Sequence, residues 1–122
     1  MPARRGFNPR DFGLGHKLRL VDGEHDVFGD GSVVCLATYG HTPGHQSLKL
    51  RLPAGEIVLA SDACYFCRTL RERRLPKYVH DRGAMHASLD HLAQLEKGGA
   101  RIFFGHDSDF WKAVPQAPAA IG

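Results

Sequence analysis

Residues Ser47 to Leu52 set Leu48, Leu50 and Leu52 at alternate positions, with Lys49 and Arg51 between them. A period of two sends alternate side chains to opposite faces of a strand. Pro53-Ala54-Gly55 follows, and Glu56 to Ala60 returns as a more apolar run. Proline and glycine together favour chain reversal, so this stretch reads as a hairpin. An antiparallel ribbon with an apolar face needs another layer packed on it. That requirement narrows the fold more than any other feature.

The flanking sequence supplies candidates for both sheet and layer. Lys17 to Val21 alternates in the same way and predicts a strand. Asp22-Gly23 and Asp30-Gly31 are turn signals, with a short strand expected around Asp26 to Phe28. Ser32 to Tyr39 holds Val33, Val34, Cys35 and Leu36 and fits a buried strand. Arg68 to Leu75 predicts a short helix stopped by Pro76. From Gly83 to Lys97, Met85, Leu89, Leu92 and Leu95 form one stripe, with His86, Asp90, Gln94 and Lys97 away from it. Gly98-Gly99 ends that helix. Arg101 to Phe104 follows as a buried strand. Residues 1–15 read as an irregular arm, and residues 115–122 as a loose Ala/Pro-rich tail. The order predicts an α/β fold of mostly antiparallel strands with helices on one face.

A chain of 122 residues is long enough for one domain with a real core. Its apolar runs fall far short of the roughly 20 residues a membrane span needs. The basic start, Met1 to Phe7, lacks the apolar stretch of a secretory signal, and a cytoplasmic location is expected. Net charge is +3, too mild to imply a nucleic-acid partner. Arg68, Arg71, Arg73, Arg74 and Lys77 cluster around Glu72 and read as a solvated face. Three cysteines argue against a disulfide framework. Cys64 and Cys67 lack a second pair and are not read as a zinc or redox motif; Cys35 reads as core. Phe110-Trp111 reads as packing.

Histidine is the unusual residue, with eight in the chain. Gly40-His41-Thr42-Pro43-Gly44-His45, Ser61-Asp62-Ala63-Cys64-Tyr65 and Gly105-His106-Asp107 each stand just after an expected strand. Strand ends carry loops that project groups from a rigid base. Imidazole and carboxylate are donors that zinc, iron or manganese accept. Taken singly, each motif is equally a surface histidine or a helix cap.

Taken together, in this order, the motifs resemble the metallo-β-lactamase superfamily, and most closely its N-acyl-homoserine lactonase branch. The likeness runs from about Asp22 to Trp111. It implies the C-terminal half of an αββα sandwich whose complete site holds two metal ions, usually zinc. It implies that His41 ligates one ion, Asp62 bridges both and His106 ligates the other. Tyr65 matches the tyrosine that contacts the substrate carbonyl. His45 and Asp107 are expected to support these ligands rather than bind metal. The implied reaction is opening of a lactone or related small ester by a metal-bound hydroxide.

No two histidines in the chain are two residues apart, so the family's His-x-His-x-Asp-His motif is absent. The chain is therefore expected to be a partial domain with an incomplete site and a sheet face free for association. The alternative expectation is a non-catalytic half-domain that acts by association.

Overall fold

The structure is a computed structural model that describes residues 8–122. The first seven residues of the expected arm lie outside the described residues. The remainder opens with α1 (Pro9–Phe12), a single turn whose Arg10 N–H is capped by the Asn8 side chain.

Five strands follow in one sheet, ordered as they occur in the chain. They are β1 (His25–Asp26), β2 (Val33–Ala37), β3 (Gln46–Leu52), β4 (Gly55–Ser61) and β5 (Arg101–Phe104). The first four are antiparallel neighbours, and β5 lies parallel to β4. The expected hairpin is β3–β4, with Leu50 opposite Ile57 and Leu48 opposite Leu59. A parallel neighbour cannot be reached by a tight turn, and the return path here is helical. It contains α2 (Cys67–Glu72) and α3 (Arg82–Lys97), before β5 leads into α4 (Ser108–Ala113).

The stripe on α3 is the main cover of the sheet. Met85, Leu89 and Leu92 are buried and Leu95 is partly so. Leu89 and Leu92 join Val34, Leu36, Val58, Ala60, Ile102 and Phe104 in one cluster. Burying a leucine fully contributes about 1.5–3 kcal/mol of hydrophobic transfer. Asp81 caps the helix by accepting from Ala84 N–H at 2.9 Å. The Arg71 guanidinium holds α2 to α3 through two 2.6 Å hydrogen bonds to the Glu96 carboxylate. On the opposite face Ile57, Phe103 and Val114 form a smaller cluster with Leu50, Leu52, Leu59, Phe110 and Ile121. Phe110 packs on both clusters, while Trp111 is partly exposed, lies against Phe103 and donates its indole N–H to Phe104 O at 2.6 Å. Ile121 brings the end of the tail onto this second cluster.

Several elements depart from the sequence reading. Lys17 to Val21 forms no strand: no described strand pairs with it, and Leu18 and Leu20 are 76% and 92% exposed. The strand expected at Asp26 to Phe28 is His25–Asp26. Beyond it the Asp26 carboxylate accepts from Gly29 and Gly31 N–H and folds the chain into a loop. The helix expected to reach Leu75 stops at Glu72, because Arg73 takes a left-handed conformation at φ 58°. The helix α4 was not expected at all. On α3, His91 is half-buried, whereas His86 is exposed.

Candidate functional site

Three loops at neighbouring strand ends build the site. Gly40 and His41 follow β2, Asp62 and Tyr65 follow β4, and His106 follows β5. Two glycines let these loops pack this closely. A Cβ at Gly40 (φ 128°) would meet Met85 N at 2.5 Å, and one at Gly105 would meet Ser61 O at 2.3 Å. The backbone then knits the loops together. Asp81 N–H donates to Gly40 O at 2.9 Å, joining the His41 loop to the start of α3. Gly105 N–H donates to Cys64 O at 3.0 Å and His106 N–H to Tyr65 O at 2.9 Å, joining the β5 loop to the β4 loop.

These contacts converge on one carboxylate. His41 Nε2 lies 3.3 Å from Asp62 Oδ2, and His106 Nε2 lies 2.8 Å from Asp62 Oδ1. Each imidazole therefore takes its own oxygen. The Tyr65 ring packs edge-on against both, with centroids 4.5 Å from His106 and 5.9 Å from His41. Burial and the nearby Asp62 charge both push the Tyr65 phenol above its ordinary value, so it stays protonated and able to donate.

Asp107 and His45 stand one step back. Asp107 Oδ2 accepts from Cys67 N–H at 2.9 Å and Oδ1 from Phe110 N–H at 3.2 Å. It thereby starts α4 and fixes His106 relative to α2. The hydrogen bond from Cys67 N–H, with that from Phe110 N–H, holds its carboxyl below the usual range. His45 lies under His41, with ring centroids 6.0 Å apart and edge to face. Its Nδ1 is 3.0 Å from Thr38 Oγ1 and 3.1 Å from Thr38 O. Burial lowers its pKa, opposed by the Asp62 carboxylate. Thr38 and Ser47 complete this network and were not singled out in the sequence. Their signal was faint: two hydroxyl residues flanking a loop that begins and ends in histidine.

Cys64 is fully buried in the main cluster, and burial pushes its thiol up to about 12. A thiol so rarely ionised is a poor nucleophile or ligand, so it acts as core.

The donor types at Asp62 suit a divalent ion of the zinc, iron or manganese kind. One sign of an unfinished shell is His41 Nδ1, buried with no hydrogen-bond partner among the described residues. Metal-bound histidines normally donate through their second nitrogen. The number of donors fits less well than their type. Among the described residues no group of three or more His, Cys, Asp or Glu is arranged to hold an ion. Nor is any described helix long and apolar enough to cross a membrane.

Comparison with known proteins gives these loops a setting. No protein-family model matches the chain. It is 37% identical to the N-acyl homoserine lactonase AttM of Rhizobium radiobacter, over 95% of this chain and 47% of that protein. It is 31% identical to the N-acyl homoserine lactonase AiiA of Bacillus thuringiensis subsp. kurstaki, over 84% of this chain and 41% of that one. It also superposes on a solved N-acyl homoserine lactone hydrolase that has N-hexanoyl-L-homoserine bound at its catalytic metal centre. The TM-score is 0.85 at 28% identity, covering 97% of this chain and 47% of that structure. The fold is thus that of metallo-β-lactamase-type hydrolases, as the motif order implied. Within that class the chain is similar to N-acyl homoserine lactonases, matching the C-terminal half of these relatives. It spans about half the length of the curated relatives it matches.

Proposed function

We propose that this chain carries the His41–Asp62–His106 part of a metal-dependent hydrolase that opens N-acyl homoserine lactones. One observation carries the reading: a single carboxylate is shared by two imidazoles, one on each oxygen, beside a protonated tyrosine. Were two zinc ions bound, His41 would hold one, His106 the other, and Asp62 both. Iron or manganese would suit the same donors. Two ions of about four ligands each need more donors than these three side chains supply. The reading therefore places further ligands outside this set.

Zinc held there would supply Lewis acidity toward the ester carbonyl and lower the pKa of bound water. The chain's own residues do the rest. Asp62 fixes the separation of the two positions. Tyr65 would donate a hydrogen bond from its phenol O–H to the carbonyl oxygen as charge develops on it, a contribution that grows toward the transition state. Asp107 and the Tyr65–His106 backbone bond keep both loops in register. The substrate class is a small neutral ester, for which neither nucleic-acid nor membrane contact is needed. Three unpaired thiols suit a reducing, cytoplasmic location.

The test is zinc titration followed on the His41 and His106 ring resonances, with opening of N-hexanoyl-L-homoserine lactone as the second measurement. Both rings should respond to zinc, and Asp62→Ala should abolish that response together with any lactone opening. Activity retained without Asp62 would remove its bridging role. A second reading, a non-catalytic chain acting through its partly covered sheet face, is favoured by the lack of a closed donor cluster among the described residues. No ring response and no lactone opening in the unaltered chain would support it.

A further inference from the structure

Beneath His41 a line of polar groups runs through the buried side of the sheet, and its hydrogen bonds can run in one direction only. Ser47 Oγ lies 2.9 Å from Ala60 O, and a carbonyl only accepts, so Ser47 must donate. Ser47 has a single proton. Its 2.7 Å contact with Thr38 Oγ1 is therefore donated by Thr38. Thr38 has then used its own proton and must accept at its 3.0 Å contact with His45 Nδ1. The 3.1 Å contact of the same Nδ1 with Thr38 O gives the same answer independently. His45 thus carries its proton on Nδ1, and its Nε2 presents a lone pair. Thr38 and Ser47 are fully buried, so no solvent competes along the chain. His45 itself is half-buried, and its Nε2 is not among the buried unpartnered atoms. Among the described residues that lone pair has no hydrogen-bond partner, and it stands next to His41.

The partner follows from substrate chemistry and so rests on the lactonase reading. An unsubstituted N-acyl homoserine lactone has several acceptors and a single hydrogen-bond donor, its amide N–H. We infer that His45 Nε2 accepts the substrate amide N–H, and that the Ala60–Ser47–Thr38 chain holds it in the tautomer able to do so. The role is recognition, distinct from the ligand and carbonyl contacts of His41, Asp62, His106 and Tyr65. It favours amides over esters at the acyl link.

The experiment uses the zinc-loaded chain with ¹⁵N-labelled histidine and two ring-opened probes that it does not turn over. One is N-hexanoyl-L-homoserine; the other is its ester analogue, with oxygen in place of the amide N–H. Before any ligand is added, long-range ¹H–¹⁵N spectra should show His45 as the Nδ1–H tautomer. Ser47→Ala frees the Thr38 proton to compete with Thr38 O for Nδ1 and should raise the share of the Nε2–H tautomer. The amide probe should shift Nε2 of His45 and bind up to about tenfold tighter than the ester probe, the worth of one good hydrogen bond. An Nε2–H tautomer in the unaltered chain overturns the inference, whatever Ser47→Ala does to folding. Equal binding of the two probes, or shifts confined to His41 and His106, overturns it while leaving the lactonase reading intact. If neither probe moves His41, His45 or His106, the lactonase reading falls and this inference falls with it.

Discussion

Lys17 to Val21 and Ser47 to Leu52 carry the same alternation of leucine with basic residues, yet they end in different structures. The second is β3, hydrogen-bonded on both sides, with Leu48 between Cys35 and Leu59. The first runs as irregular chain with its leucines in solvent, anchored at its end where Gly23 N–H donates to the Tyr39 hydroxyl at 2.8 Å. Alternation therefore states what a segment can do; a neighbour with free backbone groups decides whether it does so. β1 is two residues long and gives the first segment nothing to pair with.

The strongest way to press this contrast is at the places where packing leaves no freedom. Gly105→Ala and Gly40→Ala each drive a Cβ into backbone at 2.5 Å or less. Each should cost about 3 kcal/mol or more, read as a fall in the denaturation midpoint, with loss of the His106 or His41 environment. A fall below 1 kcal/mol would show that these loops yield easily. Next come leucines of equal chemistry and unequal surroundings. Leu36→Ala, in the core, should cost about 2–5 kcal/mol. Leu50→Ala, half-buried between β2 and β4, should cost less, and Leu20→Ala should stay within about 0.5 kcal/mol. A large loss at Leu20 would mean that the segment is packed in solution. A small, pH-dependent effect belongs to the Arg71–Glu96 pair, which is largely solvated. Its hydrogen bonds lower the Glu96 pKa below the unfolded value. The contribution is thus present above the unfolded glutamate pKa and lost as pH falls through the folded one. Glu96→Gln should remove that acid-side slope, a difference under about 1 kcal/mol between neutral and acid denaturation curves.

The same distinction explains what could be read in advance. The β3–β4 hairpin was legible because its turn residues and its alternation agree. α3 was legible because its stripe and Gly98 mark the same helix; its N-cap, Asp81, was not singled out. α4 was not, since six residues show little periodicity and its cap, Asp107, sits in a motif that reads as a loop. The Asp62 neighbourhood was legible as three strand ends, though not the assignment of one oxygen to each histidine, which depends on the parallel placement of β5. The hydrogen-bond line behind His45 left almost no trace in sequence. Threonine and serine are common, and their meaning here comes from a carbonyl 13 residues away from Ser47.

The parallel return to β5 also has a consequence in time. His41 and Asp62 are brought together by antiparallel neighbours close in the chain. Asp62 and His106 are 44 residues apart and meet only after the whole helical crossover has docked. Closing the longer loop carries the larger entropic cost, and non-local pairings form slowly. The third member of the site should therefore arrive last during folding. The His106–Asp62 contact then serves as a clock hand for the finished chain, since partly folded molecules would hold the first histidine and the carboxylate without the second.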